Sequence, residues 1–240
     1  MTEFKTPLVY AAMDFTERDA MLRAADLLAP VPGDWGFKLN DDYVTTYGPD
    51  KAIADLAPYR KNLFVDYKLL KGARRMVNLV QGLAITGAVD FTNIYVLAGG
   101  LLLKTVEKTK DSGVGILGIT ILTHMDEEYC QHYFRRSLPE AVRMMTWDAH
   151  HAGCPGVILP GTCMEAVRDI PVLKVCPGVR PAWYVGKKAN QQSQEVQPAE
   201  IIKAGGNTAV TGSPIWDTDN PRDSLMRILD EMNDAKARLV

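Results

Sequence analysis

Charged residues stand inside short apolar runs of this sequence, and such residues are the first candidates for chemistry. Lys38 lies within the run WGFKLN, and Asp66 and Lys68 lie within LFVDYKL. Burying a charge costs free energy unless an opposite charge pairs with it. Asp66 and Lys68 are two residues apart, so a strand directs both side chains to the same face. Two interpretations are open: a structural ion-pair network, or a site in which a carboxylate holds a lysine in its charged form.

Other apolar runs end in polar residues or in glycine and proline. These residues are Asp14, Thr123, Pro177, Gly178, Gly212 and Ser213. In a barrel of parallel strands the functional groups gather where the strands end. We therefore expect these residues to lie near Lys38, Asp66 and Lys68 and to contact a substrate.

The runs that carry these residues alternate with stretches of helical periodicity. Runs typical of strands cover residues 8–14, 35–40, 63–69, 91–98, 115–123, 156–160, 173–178 and 208–213. Helical spacing is clearest at residues 17–29, 72–87, 137–153 and 220–240. Nearly continuous apolar runs suit strands that are covered on both faces, as in a parallel sheet. The pattern predicts one α/β domain over residues 1–240, a (β/α)8 TIM barrel, with an open doubly wound sheet as the alternative.

A long polar segment interrupts this alternation between Gly178 and Pro198. It contains Arg180 and Gln192 and has no clear period. Because it follows the seventh apolar run, a barrel would place it at the mouth formed by the strand ends. There it is either a lid that grips a phosphate or a disordered surface insertion.

The composition excludes several classes of protein. The net charge of −2 argues against a nucleic-acid binder, which usually carries a basic excess. The sequence has no apolar run approaching the ~18 residues of a membrane helix, and its first residues lack the pattern of a signal peptide. The cysteines match no zinc or redox spacing; they are Cys130, Cys154, Cys163 and Cys176. We expect reduced thiols in a cytoplasmic protein without a metal site.

The order of several motifs resembles the bacterial orotidine 5′-monophosphate decarboxylases. The motifs are AAMD, FKLN, VDYK, ITILTHMDEE, CPGVRP and QPAEIIKAGGNTAVTGSPI, spread from about residue 8 to residue 220. The resemblance implies a (β/α)8 barrel that works as a homodimer, with active sites completed across the interface. It further implies a lyase of pyrimidine biosynthesis that converts orotidine 5′-monophosphate to uridine 5′-monophosphate without a metal or organic cofactor.

The resemblance also assigns roles to individual residues. Lys38 and Asp66 would form the charge network and hold the ribose hydroxyls, and Lys68 would protonate the carbon that loses carbon dioxide. A cation beside a carbanion-like centre lowers the barrier and can deliver the proton. The other implied substrate contacts are Asp14 at the ribose, Thr123 near the pyrimidine, Pro177 and Gly178 in the CPGVRP motif, Arg180 and Gln192 at the phosphate, and the Gly212 backbone N–H at the same phosphate.

Two positions depart from the family pattern. The family reads Asp-x-Lys-x-x-Asp after its third strand, and its second aspartate reaches into the partner's active site. Lys71 stands at that position, which changes the catalytic tetrad of Lys38, Asp66, Lys68 and residue 71 from neutral to a formal +2. Ser213 stands where the family has an arginine that forks onto the phosphate, so the grip on the phosphate should weaken.

Three hypotheses account for these departures. The chain acts on a different phosphorylated substrate, such as a modified nucleotide. Alternatively, it has lost catalysis and has kept ligand binding or dimerisation. In the third hypothesis, the adjacent Lys68 and Lys71 leave one neutral amine, which forms a Schiff base.

Overall fold

Parallel strands close into a barrel in the computed structural model, which describes residues 4–184 and 195–239. The strands are β1 (Val9–Met13), β2 (Trp35–Asn40), β3 (Asn62–Leu69), β4 (Phe91–Tyr95), β5 (Gly115–Ile119), β6 (Gly156–Ile158), β7 (Leu173–Pro177) and β8 (Thr208–Thr211). β1 pairs with β2 on one side and with β8 on the other, so the sheet closes on itself. The predicted (β/α)8 barrel is confirmed, and the alternative of an open sheet is wrong.

Helices follow the strands and cover the outside of the barrel. They are α1 (Arg18–Leu28), α2 (Asp41–Tyr47), α3 (Pro49–Leu56), α4 (Ala73–Ile85), α5 (Gly100–Thr109), α6 (Glu127–Phe134), α7 (Leu138–His151), α8 (Pro198–Lys203), α9 (Ser213–Trp216) and α10 (Pro221–Ala237). The Asn220 side chain caps α10 by accepting a hydrogen bond from the Asp223 backbone N–H. Within the described ranges, none of these helices combines the length and apolarity required to cross a bilayer.

Some apolar runs of the sequence extend beyond the strand that they contain. β4 ends at Tyr95, and β5 ends at Ile119. The expectation that a strand ends at Thr123 is therefore wrong, because Thr123 lies in the loop that follows β5. Hydrophobicity does not mark these ends, since Val96 and Ile121 are buried in the core although they lie outside the strands.

Side chains that point into the barrel form an apolar plug below its mouth. The plug consists of Tyr10, Ala12, Phe64, Phe91, Leu117, Val175 and Val210. Strand side chains repeat their direction every second residue, so the position two residues after a plug residue also faces inward, nearer the mouth. Three of these positions hold Asp14, Asp66 and Asn93. The fold therefore places a polar layer directly above an apolar one.

The four cysteines are buried and free. Burial raises the pKa of the Cys154 thiol and of the Cys176 thiol to about 12, so both stay protonated at neutral pH. Protonated, enclosed thiols are poor nucleophiles and poor metal ligands. We infer that the cysteines contribute to packing.

Candidate functional site

A cavity of about 600 Å³ opens at the carboxyl ends of the strands, above the apolar plug. Most candidate residues from the sequence line it: Asp14, Lys38, Asp66, Lys68, Thr123, Pro177, Gly178, Arg180, Gly212 and Ser213. Lys71 is exposed and lies outside this lining. Gln192 lies outside the described residues. The structure thus brings the predicted cluster together, while the role of each member stays a prediction.

Asp66 is the centre of the charge network in the cavity. The Nζ atom of Lys38 lies 3.0 Å from Asp14 Oδ1 and 3.2 Å from Asp66 Oδ2. The Nζ atom of Lys68 lies 2.9 Å from the same Asp66 oxygen. One carboxylate oxygen therefore holds both ammonium groups at the mouth of the barrel.

Burial and charge act in opposite directions on Lys38 and Asp66, each of which is 8% exposed. Burial is the largest single effect on the pKa of Lys38 and lowers it, but the carboxylates of Asp66 and Asp14 together raise that pKa above its ordinary value. Burial likewise acts to raise the pKa of Asp66, but Lys38, Lys68 and a hydrogen bond from Asn93 bring that pKa below its ordinary value. Both groups are therefore charged at neutral pH.

Asn93 is a member of the network that the sequence interpretation missed. Its Nδ2 donates to Asp66 Oδ1 at 2.6 Å, and its Oδ1 accepts from the backbone N–H of Lys68 at 2.6 Å. Asn93 is fully buried on β4, where it faces the neighbouring strand β3. A signal was present in the sequence: Asn93 follows Phe91 at the same two-residue spacing by which Asp66 follows Phe64. We infer that Asn93 fixes the orientation of both catalytic candidates on β3.

Replacing Asn93 with alanine should lower the free energy of unfolding by about 2–4 kcal/mol, because a buried carboxylate oxygen and a backbone N–H both lose their partner. Urea denaturation followed by circular dichroism measures this change. Asn78→Ala on the exposed face of α4 is the control, with an expected change of about 0.5 kcal/mol or less. Equal stability of the two variants would show that water replaces the Asn93 contacts without cost.

The backbone at Lys68 departs from a regular strand. Val65 pairs with Thr92 and Leu69 pairs with Ile94, so β3 advances four residues while β4 advances two. Lys68 adopts a φ of 48°, in the left-handed region that side-chain-bearing residues rarely occupy. The predicted convergence of Lys68 and Asp66 is therefore produced by a local bulge and not by simple strand alternation. Strain of this kind concentrates at functional sites.

A second acidic residue approaches Lys68 from the start of the helix that follows the neighbouring strand β2. The Oδ1 atom of Asp41 lies 4.0 Å from Lys68 Nζ, and its side chain is 48% exposed. Asp41 is the first residue of α2 and directly follows β2. The sequence interpretation did not select Asp41, because no apolar run contains it.

The part of the mouth that follows β7 and β8 holds Arg180 and Gly212, the described residues expected at a phosphate. Arg180 Nη1 lies 3.0 Å from Glu195 Oε1, and the Arg180 guanidinium lies 5.9 Å from the Tyr184 ring centroid. Tyr184 donates through its hydroxyl to Asp217 Oδ2 at 3.2 Å. Ser213 begins α9 directly after Gly212. Among the described residues that line the cavity, Arg180 is the one arginine.

The histidines and acidic residues do not assemble into a metal centre within the part of the chain that the structure describes. His124 lines the cavity, but the neighbouring Asp126 caps α6 by accepting from the Tyr129 backbone N–H. His151 stacks on Trp147 in the last turn of α7, with ring centroids 5.5 Å apart. Structural contacts therefore account for the positions of Asp126 and His151.

Comparison with known proteins gives a consistent result. Residues 7–228 match the family described as Orotidine 5′-phosphate decarboxylase / HUMPS. The chain is 27% identical to orotidine 5′-phosphate decarboxylase of Maridesulfovibrio salexigens over 92% of its own length and 97% of that protein. It is 29% identical to the protein of the same name from a Methylobacterium species, over 98% of its own length and all of that protein. The crystal structure of orotidine 5′-phosphate decarboxylase from Lactobacillus acidophilus shares the fold, with a TM-score of 0.78, 22% identity, and coverage of 95% of this chain and 100% of that chain.

Proposed function

This chain belongs to the orotidine 5′-phosphate decarboxylase / HUMPS family, and we propose that it is a carboxy-lyase acting on orotidine 5′-monophosphate or on a closely related phosphorylated acid. The product from orotidine 5′-monophosphate would be uridine 5′-monophosphate. One observation carries the proposal: the Lys68 ammonium lines the cavity 2.9 Å from the buried Asp66 carboxylate. The Lys68 ammonium could therefore supply both a fixed positive charge and a proton to a substrate in the cavity.

In the proposed reaction, the bond between the ring carbon and the carboxylate breaks and carbon dioxide leaves. The electron pair of that bond stays on the ring carbon, where the Lys68 ammonium stabilises the developing negative charge. Lys68 then transfers a proton to the same carbon and becomes a neutral amine, which regains a proton from water. Asp66 keeps Lys68 at the reacting carbon, and Asn93 keeps Asp66 in place. These steps require no cofactor.

The rest of the cavity would bind the other parts of a nucleotide. The assignments are ribose hydroxyls to Asp14 and Lys38, the pyrimidine to Thr123, the cavity wall to Pro177 and Gly178, and the phosphate to Arg180, Gln192 and the Gly212 backbone N–H. Support comes from the order of the strands in the closed barrel, which carry in succession Lys68 on β3, Lys38 on β2, Asp14 after β1, Gly212 after β8 and Arg180 after β7. This order matches the succession of carboxylate, sugar and phosphate in the substrate.

A nucleotide-binding relative without catalysis is the second candidate. It is favoured by the residues expected at the phosphate, because the resemblance predicts an arginine where Ser213 stands and because Arg180 is already paired with Glu195. A weak grip on the phosphate removes binding energy that decarboxylation uses in its transition state. In this case the protein would bind a nucleotide in the cavity without decarboxylating it.

An ultraviolet assay with orotidine 5′-monophosphate distinguishes the two candidates when it is run beside calorimetric titration with uridine 5′-monophosphate. Turnover supports the enzyme. Binding of uridine 5′-monophosphate without turnover supports the inactive relative. Absence of both would mean that the family membership gives the fold and not the ligand.

We also propose that the chain forms a homodimer through the segment after β3 and the neighbouring segment after β4. Large apolar side chains are exposed there: Leu70 is 55%, Leu97 is 53% and Leu101 is 41% exposed. Helices α4 and α5, which follow these two segments, pack against each other. An apolar surface of this kind favours association. Lys71 lies in the same segment, so a partner would approach it.

Leu70→Glu combined with Leu97→Glu should convert the dimer to a monomer at micromolar concentration, because the interface would have to bury two carboxylates without partners. Light scattering coupled to size-exclusion chromatography measures the mass. Ile85→Glu is the control, since Ile85 is 88% exposed at the opposite end of α4. A monomeric wild-type protein, or a double variant that stays dimeric, would place the interface elsewhere or remove it.

The buried, protonated cysteines support one further part of the proposal. Reduced thiols persist in a reducing compartment, which agrees with a cytoplasmic enzyme of nucleotide metabolism.

A further inference from the structure

We propose that Asp41 supplies, from within the same chain, the second carboxylate beside Lys68 that this sequence lacks at position 71. The inference rests on the proposed decarboxylation and deepens it. Asp41 would act on the reaction through its charge. It would attract the Lys68 ammonium as a second carboxylate partner beside Asp66, and it would repel the carboxylate of a bound substrate.

The strand register places Asp41 beside Lys68. Asn40, the last residue of β2, pairs with Asp66 on β3, so the next residue of the chain lies level with the bulge that contains Lys68. The Asn40 side chain caps α2 by accepting from the Tyr43 backbone N–H at 3.0 Å. This cap fixes the direction in which the chain leaves β2. Asp41 therefore has a defined position at the mouth, and it lines the cavity.

With Asp41 included, carboxylates and ammonium groups alternate along the mouth. The order is Asp14, Lys38, Asp66, Lys68 and Asp41, with successive separations of 3.0, 3.2, 2.9 and 4.0 Å. Each lysine then has a carboxylate on both sides. The tetrad of Lys38, Asp66, Lys68 and Asp41 is formally neutral, in contrast to the +2 obtained when Lys71 takes the place of Asp41 in the same count. An alternating array gives each lysine two carboxylate partners without any contribution from residue 71.

The charge of Asp41 has a direct consequence for a substrate that carries a carboxylate. A substrate carboxylate brought to Lys68 comes close to Asp41, and the two negative charges repel each other in the bound ground state. Loss of carbon dioxide removes that repulsion, so Asp41 raises the energy of the bound substrate more than that of the transition state. Removing the Asp41 charge should therefore slow turnover and tighten substrate binding together, which is a signature that a purely structural role does not give.

The test compares Asp41→Asn, Asp41→Glu and the control Asp50→Asn. Asp50 is an exposed carboxylate in the first turn of α3 and lies outside the cavity lining. Asp50→Asn therefore changes the net charge by the same amount as Asp41→Asn, and it likewise removes a negative charge at the start of a helix. For Asp41→Asn we expect kcat for orotidine 5′-monophosphate to fall about tenfold and KM to fall as well. Asp41→Glu should retain most of the activity, and Asp50→Asn should match the wild type.

Calorimetry makes the test independent of turnover. Asp41→Asn should bind uridine 5′-monophosphate, which has no carboxylate, within about twofold of the wild type. If wild-type protein turns over orotidine 5′-monophosphate and Asp41→Asn behaves like Asp50→Asn, the Asp41 inference is overturned and the proposed function stands. If the wild type does not turn it over, but Asp41→Asn binds it selectively tighter, the activity is wrong and the placement of Asp41 stands. If the protein binds neither orotidine 5′-monophosphate nor uridine 5′-monophosphate, both the Asp41 inference and the proposed function are overturned.

Discussion

Replacing Lys68 with methionine should reduce kcat/KM for orotidine 5′-monophosphate decarboxylation by about 10,000-fold or more. Methionine keeps an unbranched apolar chain but removes both the cation that would stabilise the carbanion and the proton that would quench it in the proposed reaction. General acid catalysis typically contributes ~100- to 10,000-fold, and fixed electrostatic stabilisation contributes a further ~100-fold or more. The variant should fold, because Asp66 keeps its contacts with Lys38 and Asn93. Steady-state ultraviolet kinetics with high enzyme concentration measures the loss.

The matched control is Lys108→Met, which removes an exposed lysine from the last turn of α5. We expect wild-type kinetics for Lys108→Met, and for Lys68→Met we expect uridine 5′-monophosphate to bind within about tenfold of the wild type. Retention of more than a tenth of the wild-type activity by Lys68→Met would rule out Lys68 as the proton donor. A loss of nucleotide binding equal to the loss of activity would instead assign Lys68 to binding.

The sequence predicts the members of the site wherever a residue's position in a strand determines which residues surround it. Lys38 and Asp66 interrupt apolar runs, and a charge in that context must find an opposite charge. The barrel follows from apolar runs that alternate with amphipathic helices, since parallel strands need helices on the outside and side chains packed within. Asp14, Gly212 and Ser213 are expected at the mouth for the same reason, because Asp14 and Gly212 directly follow strands and Ser213 comes next after Gly212. These inferences need the order of elements and no atomic detail.

Contacts that depend on register or on local backbone conformation could not be predicted in this way. The bulge at Lys68 inserts residues into β3, and periodicity alone does not indicate where a strand departs from regular geometry. Asp41 meets Lys68 because Asn40 and Asp66 are paired, and the pairing of two parallel strands is set by the packing of the whole barrel. Asn93 could have been identified from the sequence as a candidate, since a buried amide within an apolar run requires hydrogen-bond partners. Its partners, however, appear only when β3 and β4 are placed side by side.

The second large effect is expected for a substitution at the proposed phosphate site. Replacing Ser213 with arginine should lower KM for orotidine 5′-monophosphate by about 10- to 100-fold, because a charge-assisted hydrogen bond to phosphate contributes ~1.5–3 kcal/mol. Ser213 follows Gly212 at the start of α9 and lines the cavity. An arginine there would add a cation to a site where Arg180 is engaged by Glu195 and where Asp217 adds negative charge nearby. Calorimetric titration with uridine 5′-monophosphate checks the same effect without turnover.

Ser213→Gln is the control for this prediction, since glutamine supplies a long polar side chain without the charge. Titration with uridine, which lacks the phosphate, provides a second control: its affinity should be the same for Ser213→Arg and for the wild type. A gain in affinity confined to Ser213→Arg and to the phosphorylated ligand would place the phosphate beside Gly212 and Arg180, and would show that the serine has weakened an otherwise complete site. If arginine and glutamine give equal affinity for uridine 5′-monophosphate, the phosphate does not reach residue 213. The natural ligand would then be an acid whose anionic group lies elsewhere in the cavity, and Arg180 with its partner Glu195 would be the next pair to change.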